Sequence, residues 1–465
     1  MSNALQEILA VRGRGTPPPD ELQIAGTDPI WPTRFPVSET VAAALAAVGV
    51  ALTDILELKT KRRQRVAIDV RHAAAALKSA YLLQRPDPSG AFKDVVNQQH
   101  LAMRQMTQPW PTKDGRWFLP HFGLENLRAR VLKVLDCDPT PDSVGKAVAR
   151  WDALDLENAI AEARACGGMV RSPEEWLAHP HGKLLSERPV VEVIKIGDAD
   201  VRPLPRADRL LGGVRVLDLT RILAGPMAAR TLAEHGADVL NVTKKGAPYI
   251  PEHVTDTGHG KRSCFIDLDS IEGRKDMLRL LGAADVLTQS YRPGTLDKFG
   301  YSPEEAAAAR PGIVYVSISC YGADGPFSNR GGWEQLGQVV TGVCHANGED
   351  KPALLPVPAC DYTTGYLAAY GALLGLHKRA TEGGSWHVRV SLCQSGMLIQ
   401  RQGMIDKTVA PRALEPHELD SLRITSETAA GPLRHLGPVL RLSETAPRWE
   451  KPTPALGSST PDWQA

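Results

Sequence analysis

Cysteine is scarce in this sequence of 465 residues, and it follows no pattern. The seven cysteines are odd in number, and none of them has C-x-x-C spacing. We therefore expect reduced thiols rather than a disulfide framework, and no metal site. A G-x-G-x-x-G fingerprint is also missing, because the turn where it would be needed reads Leu223-Ala-Gly-Pro226. A nicotinamide-type dinucleotide cofactor is therefore not expected.

An excess of charge of either sign is absent as well. With 54 basic and 53 acidic residues the net charge is +1, which gives no electrostatic footprint for nucleic acid or an acidic membrane surface. No apolar run looks long enough to span a bilayer, and residues 1–10 do not resemble a signal peptide. We predict a soluble, cytoplasmic protein with neither nucleic acid nor membrane as a partner.

The clearest pattern is a strand–turn–helix–strand unit over residues 213–243. Gly213-Val-Arg-Val-Leu-Asp-Leu-Thr220 and Ala237-Asp-Val-Leu-Asn-Val-Thr243 are short β-branched runs, as buried parallel strands are. The Ala- and Leu-rich segment between them ends at Gly236, where a helix would stop. This is a βαβ unit, and further strand–helix alternation up to residue 318 predicts a doubly wound parallel sheet.

The predicted fold class is α/β, with a doubly wound Rossmann-like parallel sheet domain and a smaller α+β domain. At this length two or three domains are expected. We place a flexible N-terminal arm at 1–30, a helix–strand unit at 31–84, a small second domain at 85–200, the Rossmann-like domain at 201–400 and a C-terminal tail at 401–465. The helix, turn and strand of residues 361–390 repeat the order of elements in residues 40–70, which indicates an internal echo.

Seven ordered segments between residues 213 and 365 resemble the class III CoA-transferases, which include formyl-CoA and carnitine CoA-transferases and α-methylacyl-CoA racemase. The segments are Gly213-Val-Arg-Val-Leu-Asp-Leu-Thr-Arg-Ile-Leu-Ala-Gly-Pro226, Leu232-Ala-Glu-His-Gly-Ala-Asp-Val-Leu240, Gly260-Lys-Arg-Ser263, Asp285-Val-Leu-Thr-Gln-Ser-Tyr-Arg-Pro-Gly-Thr-Leu296, Pro311-Gly-Ile-Val-Tyr-Val-Ser-Ile-Ser319, Gly322-Ala-Asp-Gly-Pro326 and Asp361-Tyr-Thr-Thr-Gly365. The resemblance implies the fold of that family, with 201–400 as its CoA-binding catalytic domain, and a homodimer.

The order of the parts differs from the family's. There, the helix after the key aspartate leads through a strand to the small domain, but here the unit that resembles this small domain stands first, at residues 41–200. We infer a rearranged, permutation-like chain in which the junction helix and strand are present twice. Thr40 and Val41 stand near the counterpart of position 361, so we expect the first copy to lack the aspartate and each chain to have one active site.

Asp361 begins a predicted helix, where an aspartate is ordinarily an N-cap. The resemblance implies instead a nucleophile that attacks an acyl-CoA thioester and becomes an aspartyl-CoA thioester. We expect the helix N-terminus to offer N–H groups to the developing oxyanion. In the racemase branch a histidine follows the position of Arg330-Gly-Gly332, but here Trp333 and Glu334 follow it. Tryptophan cannot accept a proton, which disfavours racemisation, and Glu334 is expected to orient Asp361 or a substrate.

CoA requires cations and turn amides for its phosphates. By their places in the family motifs the candidates are Arg221, Ile222, Ala224, Lys261, Arg262, Arg292 and Lys298. The family's usual adenine contacts are replaced by Thr243, Lys244 and Lys245. We therefore predict an acyl-CoA:carboxylate CoA-transferase with acyl-CoA and a carboxylic acid as substrates and no tightly bound cofactor. The alternatives are an acyl-CoA racemase or isomerase, and a non-catalytic paralogue that binds CoA thioesters.

Overall fold

The computed structural model describes residues 2–464. Its helices are α1 (Asn3–Ala10), α2 (Val37–Thr60), α3 (Val70–Ala76), α4 (Gln98–Met106), α5 (Glu125–Leu135), α6 (Pro141–Val148), α7 (Ala153–Glu162), α8 (Pro173–Ala178), α9 (Pro180–Ser186), α10 (Ala224–Glu234), α11 (Pro251–Thr257), α12 (Ile271–Leu281), α13 (Pro303–Ala309), α14 (Glu334–Thr341), α15 (Val343–Asn347), α16 (Ala359–Glu382), α17 (Leu392–Arg401) and α18 (Pro416–Leu422). Its strands are β1 (Leu22–Ala25), β2 (Val66–Asp69), β3 (Gln84–Pro86), β4 (Phe92–Asp94), β5 (Trp110–Pro111), β6 (Trp117–Pro120), β7 (Gly167–Met169), β8 (Glu192–Gly197), β9 (Arg215–Leu219), β10 (Asp238–Thr243), β11 (Lys261–Phe265), β12 (Val286–Gln289), β13 (Val314–Ser319), β14 (Ser385–Ser391), β15 (Arg423–Thr428), β16 (Gly431–Leu436) and β17 (Arg441–Leu442).

A seven-stranded sheet organises the second half of the chain. Its order is β11-β10-β9-β12-β13-β14-β8, and every neighbouring pair is parallel except β14 with β8. Side chains alternate between two cores: Val216 and Val314 pack under α10 and α16, whereas Leu217 packs under α12 and α13. The predicted mixed α/β fold with a large parallel sheet is confirmed. The strand order reverses between β9 and β12, and a crevice forms at such a switch point.

Residues 85–200 contain a smaller unit with its own apolar core. Strands β5, β6 and β7 form an antiparallel sheet, and the turn at Gly115 joins the first two as the hairpin pattern predicted. Phe118, Val131, Leu156 and Ile160 pack together with helices α5 to α7 around them. The boundaries of the predicted domains stay a prediction, but a separate core in this region agrees with them.

The first 30 residues do not form a loosely held arm. Helix α1 buries Ala4, Leu5, Ile8 and Leu9 in the main core, and strand β1 pairs in parallel with β2. The prediction was wrong because α1 has only eight residues, too few to show a clear helical period in the sequence.

The C-terminal segment is also built into the fold. Strands β15 and β16 form a hairpin that continues into a four-stranded sheet with β3 and β4, and β17 pairs with β2. Near the end, the indole Nε1 of Trp463 donates to the carbonyl of Leu280 at 3.0 Å. The tail is therefore ordered by pairing with distant strands, which its own composition does not reveal.

The internal echo is a residue-by-residue repeat of helix, turn, strand and helix. Both α2 and α16 have 24 residues and follow a proline in the same conformation, with φ and ψ of −77° and 64° at Pro36 and −76° and 65° at Pro358. When the two copies are aligned on these prolines, Glu39 takes the position of Asp361. The residue at that position is therefore Glu39, next to Thr40 and Val41: the first copy lacks the aspartate, as expected, and has a glutamate carboxylate in its place.

Close packing of helix on strand preserves the same register in both copies. A Cβ added to Gly49 would come within 2.4 Å of Val66, and one added to Gly371 would come within 2.4 Å of Val388. Glycine is required at both crossings because the helix lies directly on the strand that follows it. These two pairs are in the register set by the prolines, so the repeat extends through the strands.

Helix α2 is long and apolar enough to cross a membrane by length and composition alone, contrary to the expectation that no run would qualify. Of its most apolar window, 89% is buried inside the protein. A single core helix passes the same test, so this feature is weak support for a membrane span.

Candidate active site

The site forms at the switch point of the large sheet. The ends of β9 and β12 are tied together there, because the backbone N–H of Arg221 donates to the hydroxyl oxygen of Ser290 at 2.9 Å. Helix α10 begins directly after this loop, and α16 brings Asp361 to the same place. Three segments far apart in the sequence therefore meet at the carboxyl end of the sheet.

Ile222 holds a strained conformation in the loop that enters α10. Its φ is 73°, a left-handed value that is unfavourable for a β-branched residue. The turn brings the start of α10 next to Asp361, where the N–H of Ala224 acts to lower the pKa of that carboxyl group. Strain of this kind tends to be retained where it positions a functional group.

A cavity of about 260 Å³, which we call the Asp361 cavity, lies between the sheet and the smaller unit. Asp361 is its one carboxylate among the described residues, and Arg221, Arg292 and Arg330 are its cations. Within residues 2–464, Arg221 and Arg292 have no carboxylate within 4 Å, whereas Arg330 pairs with Glu157 at 3.1 Å. Arg221 donates to the carbonyl of Pro248 and Arg292 to that of Arg164, but no described carboxylate neutralises either charge, so both are suited to bind an anion.

Glu334 lies under Asp361 and caps the helix from which Asp361 projects. Its carboxylate accepts the N–H of Cys360 at 3.2 Å, the N–H of Asp361 at 2.5 Å and the amide of Gln338 at 2.6 Å. Asp361 is therefore not an N-cap: it stands two residues inside the helix, and Glu334 does the capping. The N–H groups of the first turn of α16 are occupied, so the oxyanion donors expected there must come from elsewhere, such as the start of α10.

The two carboxyl groups perturb each other. Burial, and then the charge of Glu334, raises the pKa of Asp361 well above its usual range, while the N–H of Ala224 works in the opposite direction. Burial raises the pKa of Glu334 to about 7 against the effect of the hydrogen bonds that it accepts. Since two buried carboxylates in contact cannot easily both be charged, the pair holds about one proton near neutral pH.

Trp333 forms the wall of the cavity where a racemase would have its histidine. The ring stacks on His121, with centroids 4.5 Å apart. His121 is committed to Gln335 at 3.0 Å and to the N–H of Gly123 at 3.1 Å, and burial lowers its pKa to about 3. It does not line the Asp361 cavity. Neither a histidine nor a second carboxylate is therefore present among the described residues of this cavity to act as the second base for α-proton transfer.

A much larger cavity of about 1270 Å³, the large cavity, adjoins the first. Both are lined by Leu124, Arg221 and Ile222, and the large cavity runs between α4 and α5 on one side and β10 and β11 on the other. Lys244 reaches its rim but is paired with Asp267 and Asp269. An extended ligand could span the two cavities, with its reactive end at Asp361.

Of the seven predicted CoA contacts, four line the Asp361 cavity and three do not. Arg221, Ile222, Ala224 and Arg292 line the Asp361 cavity. Lys261 lines the large cavity, but its ammonium group is buried and donates to Asp218 and to the carbonyl of Pro226, both at 2.8 Å.

Arg262 and Lys298, like Lys261, do not line the Asp361 cavity. Arg262 forms a double hydrogen bond with Asp238 at 2.8 and 3.1 Å and does not line either cavity. Lys298 is exposed over the ring of Phe299, outside both cavities. For these three residues the observed contacts favour a structural or surface role, and contact with CoA stays a prediction.

Sequence reasoning missed the walls that the smaller unit supplies. Leu124, Leu127 and Cys166 line the Asp361 cavity, although they precede Asp361 by about two hundred residues. No local pattern marks them. Arg330 belongs to the segment Arg330-Gly-Gly332 that precedes Trp333, and its positive charge was the signal that could have marked it as an anion contact. In the described residues no group of three or more His, Cys, Asp or Glu could hold a metal ion, and the seven cysteines are free.

Comparison with known proteins gives the family. Residues 211–425 match CoA-transferase family III. An acyl-CoA transferase of Gibberella moniliformis is 30% identical over 89% of this chain and 86% of its own length. The acetyl-coenzyme A transferase nodX of Hypoxylon pulicicidum is 30% identical over 83% of this chain and 74% of its own. The chain belongs to CoA-transferase family III and is an enzyme that transfers CoA.

Other relatives match about half of this chain. Mouse succinyl-CoA:glutarate CoA-transferase is 34% identical over 52% of this chain and 53% of its own. A solved CAIB/BAIF family protein from Brucella suis is 29% identical over 48% of this chain and 64% of its own, with a TM-score of 0.39. That overall superposition is too poor to add to the assignment, which rests on the sequence matches.

Proposed function

We propose that this enzyme is an acyl-CoA:carboxylate CoA-transferase that works through an aspartyl-CoA thioester on Asp361. The observation that supports this most directly is the position of Asp361 as the one carboxylate among the described residues of a cavity with two unpaired arginines. A carboxylate can act as a covalent nucleophile, and the cations suit substrates that are themselves anions.

In the donor half-reaction, an oxygen of the ionised Asp361 attacks the thioester carbonyl of acyl-CoA. The carbon–sulfur bond breaks, which gives a mixed anhydride and CoA thiolate. The thiolate attacks the aspartyl carbonyl and expels the donor acid as its carboxylate, so Asp361 becomes a thioester. Splitting the transfer in this way keeps the energy of the thioester from being lost to water.

In the acceptor half-reaction, the carboxylate of the second acid attacks the aspartyl thioester and again releases CoA thiolate. The thiolate attacks the acyl carbonyl of the new anhydride, which forms the product acyl-CoA and restores the Asp361 carboxylate. No proton is gained or lost over the cycle. Glu334 acts as a positioning residue that holds the first turn of α16 and shares the proton of the pair.

CoA is placed with its thiol at Asp361 and its nucleotide in the large cavity. Arg221 lines both cavities and pairs with no described carboxylate, so it is the cation best placed for the phosphates. CoA enters as a substrate, and we propose no tightly bound cofactor.

The test is intact mass after incubation with a panel of acyl-CoAs, with Asp361→Ala beside the native protein. We expect the native protein to gain the mass of CoA less one water, and hydroxylamine to release it. The variant should gain nothing. If the native protein gains no mass on any acyl-CoA, the aspartyl-CoA mechanism is refuted. Exchange of the α-hydrogen with deuterated water would then indicate an isomerase, and thermal stabilisation by CoA without turnover would indicate a binding protein.

Two further expectations are proposals that the same material can test. A homodimer should give twice the chain mass by light scattering at micromolar concentration, and a single-chain mass would contradict it. A cytoplasmic location should place the tagged protein in the soluble fraction of gently lysed cells, and recovery with membranes would contradict it.

A further inference from the structure

A second cavity lies behind one wall of the Asp361 cavity, at the carboxyl ends of β12, β13 and β14. We call it the rear cavity, and its volume is about 160 Å³. The wall is shared, because the same residues line both sides: Tyr291, Arg292, Pro293, Ile318 and Ser319. At about 30 Å³ for each water molecule, the rear cavity has room for a short organic chain.

Three polar side chains from neighbouring strands form a hydrogen-bonded row in the rear cavity. The amide oxygen of Gln289 accepts the N–H of Tyr291 at 2.8 Å, so its NH₂ group is the one that donates to the Ser317 hydroxyl at 3.0 Å. The Ser317 hydroxyl oxygen lies 2.9 Å from Nε2 of His387. Because a hydroxyl oxygen can accept two hydrogen bonds, Ser317 either donates its own hydrogen to His387 or accepts a second hydrogen from it.

This row of hydrogen-bonded side chains leaves one hydrogen-bond donor available to a ligand. Burial and the charge of Arg389 lower the pKa of His387 to about 4, so the ring is neutral at physiological pH. If Nε2 accepts from Ser317, the ring proton is on Nδ1 and is available to a ligand; if Nε2 donates to Ser317, the Ser317 hydrogen is available instead. Among the described residues Nδ1 has no protein partner, and it is not among the buried polar atoms that lack one. It is therefore accessible.

The charges of the rear cavity are mixed, because Glu192 and Asp297 line it together with Arg188, Arg292 and Arg389. Arg389 and Arg188 are neutralised by Glu192 and Asp324. Arg292, on the shared wall, has no described carboxylate within 4 Å and donates to the carbonyl of Arg164 at 3.3 Å. The cavity therefore has an unpaired cation beside the Asp361 cavity and neutral hydrogen-bonding groups at Ser317 and His387, and its exposed Asp297 has no basic partner within 4 Å among the described residues.

We propose that the rear cavity holds the far end of the acceptor acid, and that Ser317 and His387 select acids with a second oxygen there, as in hydroxy and dicarboxylic acids. The inference rests on the proposed function. The reacting carboxylate meets Asp361 beside Arg292, and the rest of the acid extends to the row of polar groups. This requires the Arg292 side chain to move aside, because it belongs to the wall between the two cavities.

The test compares three acceptors of equal chain length, pentanoate, 4-hydroxypentanoate and pentanedioate, with one acyl-CoA donor. The native enzyme should have a lower KM for the two oxygenated acids. Ser317→Ala and His387→Phe should each raise that KM about five- to tenfold, as expected for one lost hydrogen bond, and leave the KM for pentanoate unchanged. Formation of the CoA adduct from the donor should also be unchanged.

The matched control is Tyr315→Phe. Tyr315 lines the same cavity, but its hydroxyl donates to the carbonyl of Tyr301 at 3.0 Å, so acceptor preference should not change. A native enzyme that forms the CoA adduct but does not favour oxygenated acids would overturn this inference alone. So would variants that weaken all three acceptors equally. A native enzyme that forms no adduct would overturn the proposed function, and this inference with it.

Discussion

Replacement of Glu334 by glutamine should change both stability and pH dependence. Both oxygens of the Glu334 carboxylate are used as acceptors, Oε1 by Cys360 and Gln338 and Oε2 by Asp361. Glutamine has one acceptor oxygen, and its NH₂ group would face a backbone N–H. At least one buried donor is left without a partner, so we expect Glu334→Gln to lower the free energy of unfolding by about 1–3 kcal/mol.

The effect on pH dependence follows from the charge that is removed. The negative charge of Glu334 raises the pKa of Asp361, and Asp361 must be ionised to attack. Without that charge the pKa of Asp361 falls. The acid limb of the rate of CoA-adduct formation, measured by mass against pH, should therefore move to lower pH in Glu334→Gln. An unchanged limb, or one that moves to higher pH, would refute the assignment of a coupled pair.

The repeat supplies a matched control for Glu334. At the start of α2 the Asp28 carboxylate accepts the N–H of Ser38 at 2.8 Å and that of Glu39 at 2.9 Å, as Glu334 does at the start of α16. Asp28→Asn should destabilise the fold by a similar amount for the same reason. It should leave the pH profile of adduct formation unchanged, since Asp28 lines neither the Asp361 cavity nor the large cavity.

Two other perturbations test how the site is built. Glu157 is 1% exposed and forms a double ion pair with Arg171 at 2.6 and 2.8 Å, so Glu157→Gln should lower the free energy of unfolding in urea by about 3–5 kcal/mol. Arg171 holds the pKa of Glu157 below its usual value against the effect of burial. This stabilisation should therefore be present above pH 4.5 and be lost as the pH falls through the lowered pKa. An unchanged stability in Glu157→Gln would contradict the pairing. A Cβ on Gly365 would come within 2.7 Å of Met227 and 2.8 Å of the carbonyl of Ala224, so Gly365→Ala should cost about 1–3 kcal/mol in thermal or urea unfolding. It should also slow adduct formation by moving α10 away from Asp361, and full activity would show that this contact does not position the site.

The sequence determined those features whose causes are local. The alternation of apolar strands with Ala-rich helices predicted the parallel sheet, because each pattern repeats within about ten residues. The Ser-Pro-Glu-Glu segments that begin at Ser172 and Ser302 carry the local signal of a helix start, and both form capping boxes with the glutamates three residues on. Asp361 was located by its motif at the start of a helix.

Tertiary structure decided everything that depends on which distant groups meet. The sequence pointed to Glu334, but it did not show that Glu334 caps the helix of Asp361. By capping it, Glu334 occupies the N–H groups that were expected to bind an oxyanion. Arg262 and Arg292 are equally basic in the sequence, yet Arg262 meets Asp238 and Arg292 meets a cavity. Partner choice between side chains far apart in the chain is set by packing and burial rather than by local pattern. For that reason the nucleophile was readable in advance, whereas its pKa, its proton partner and the walls around it were not.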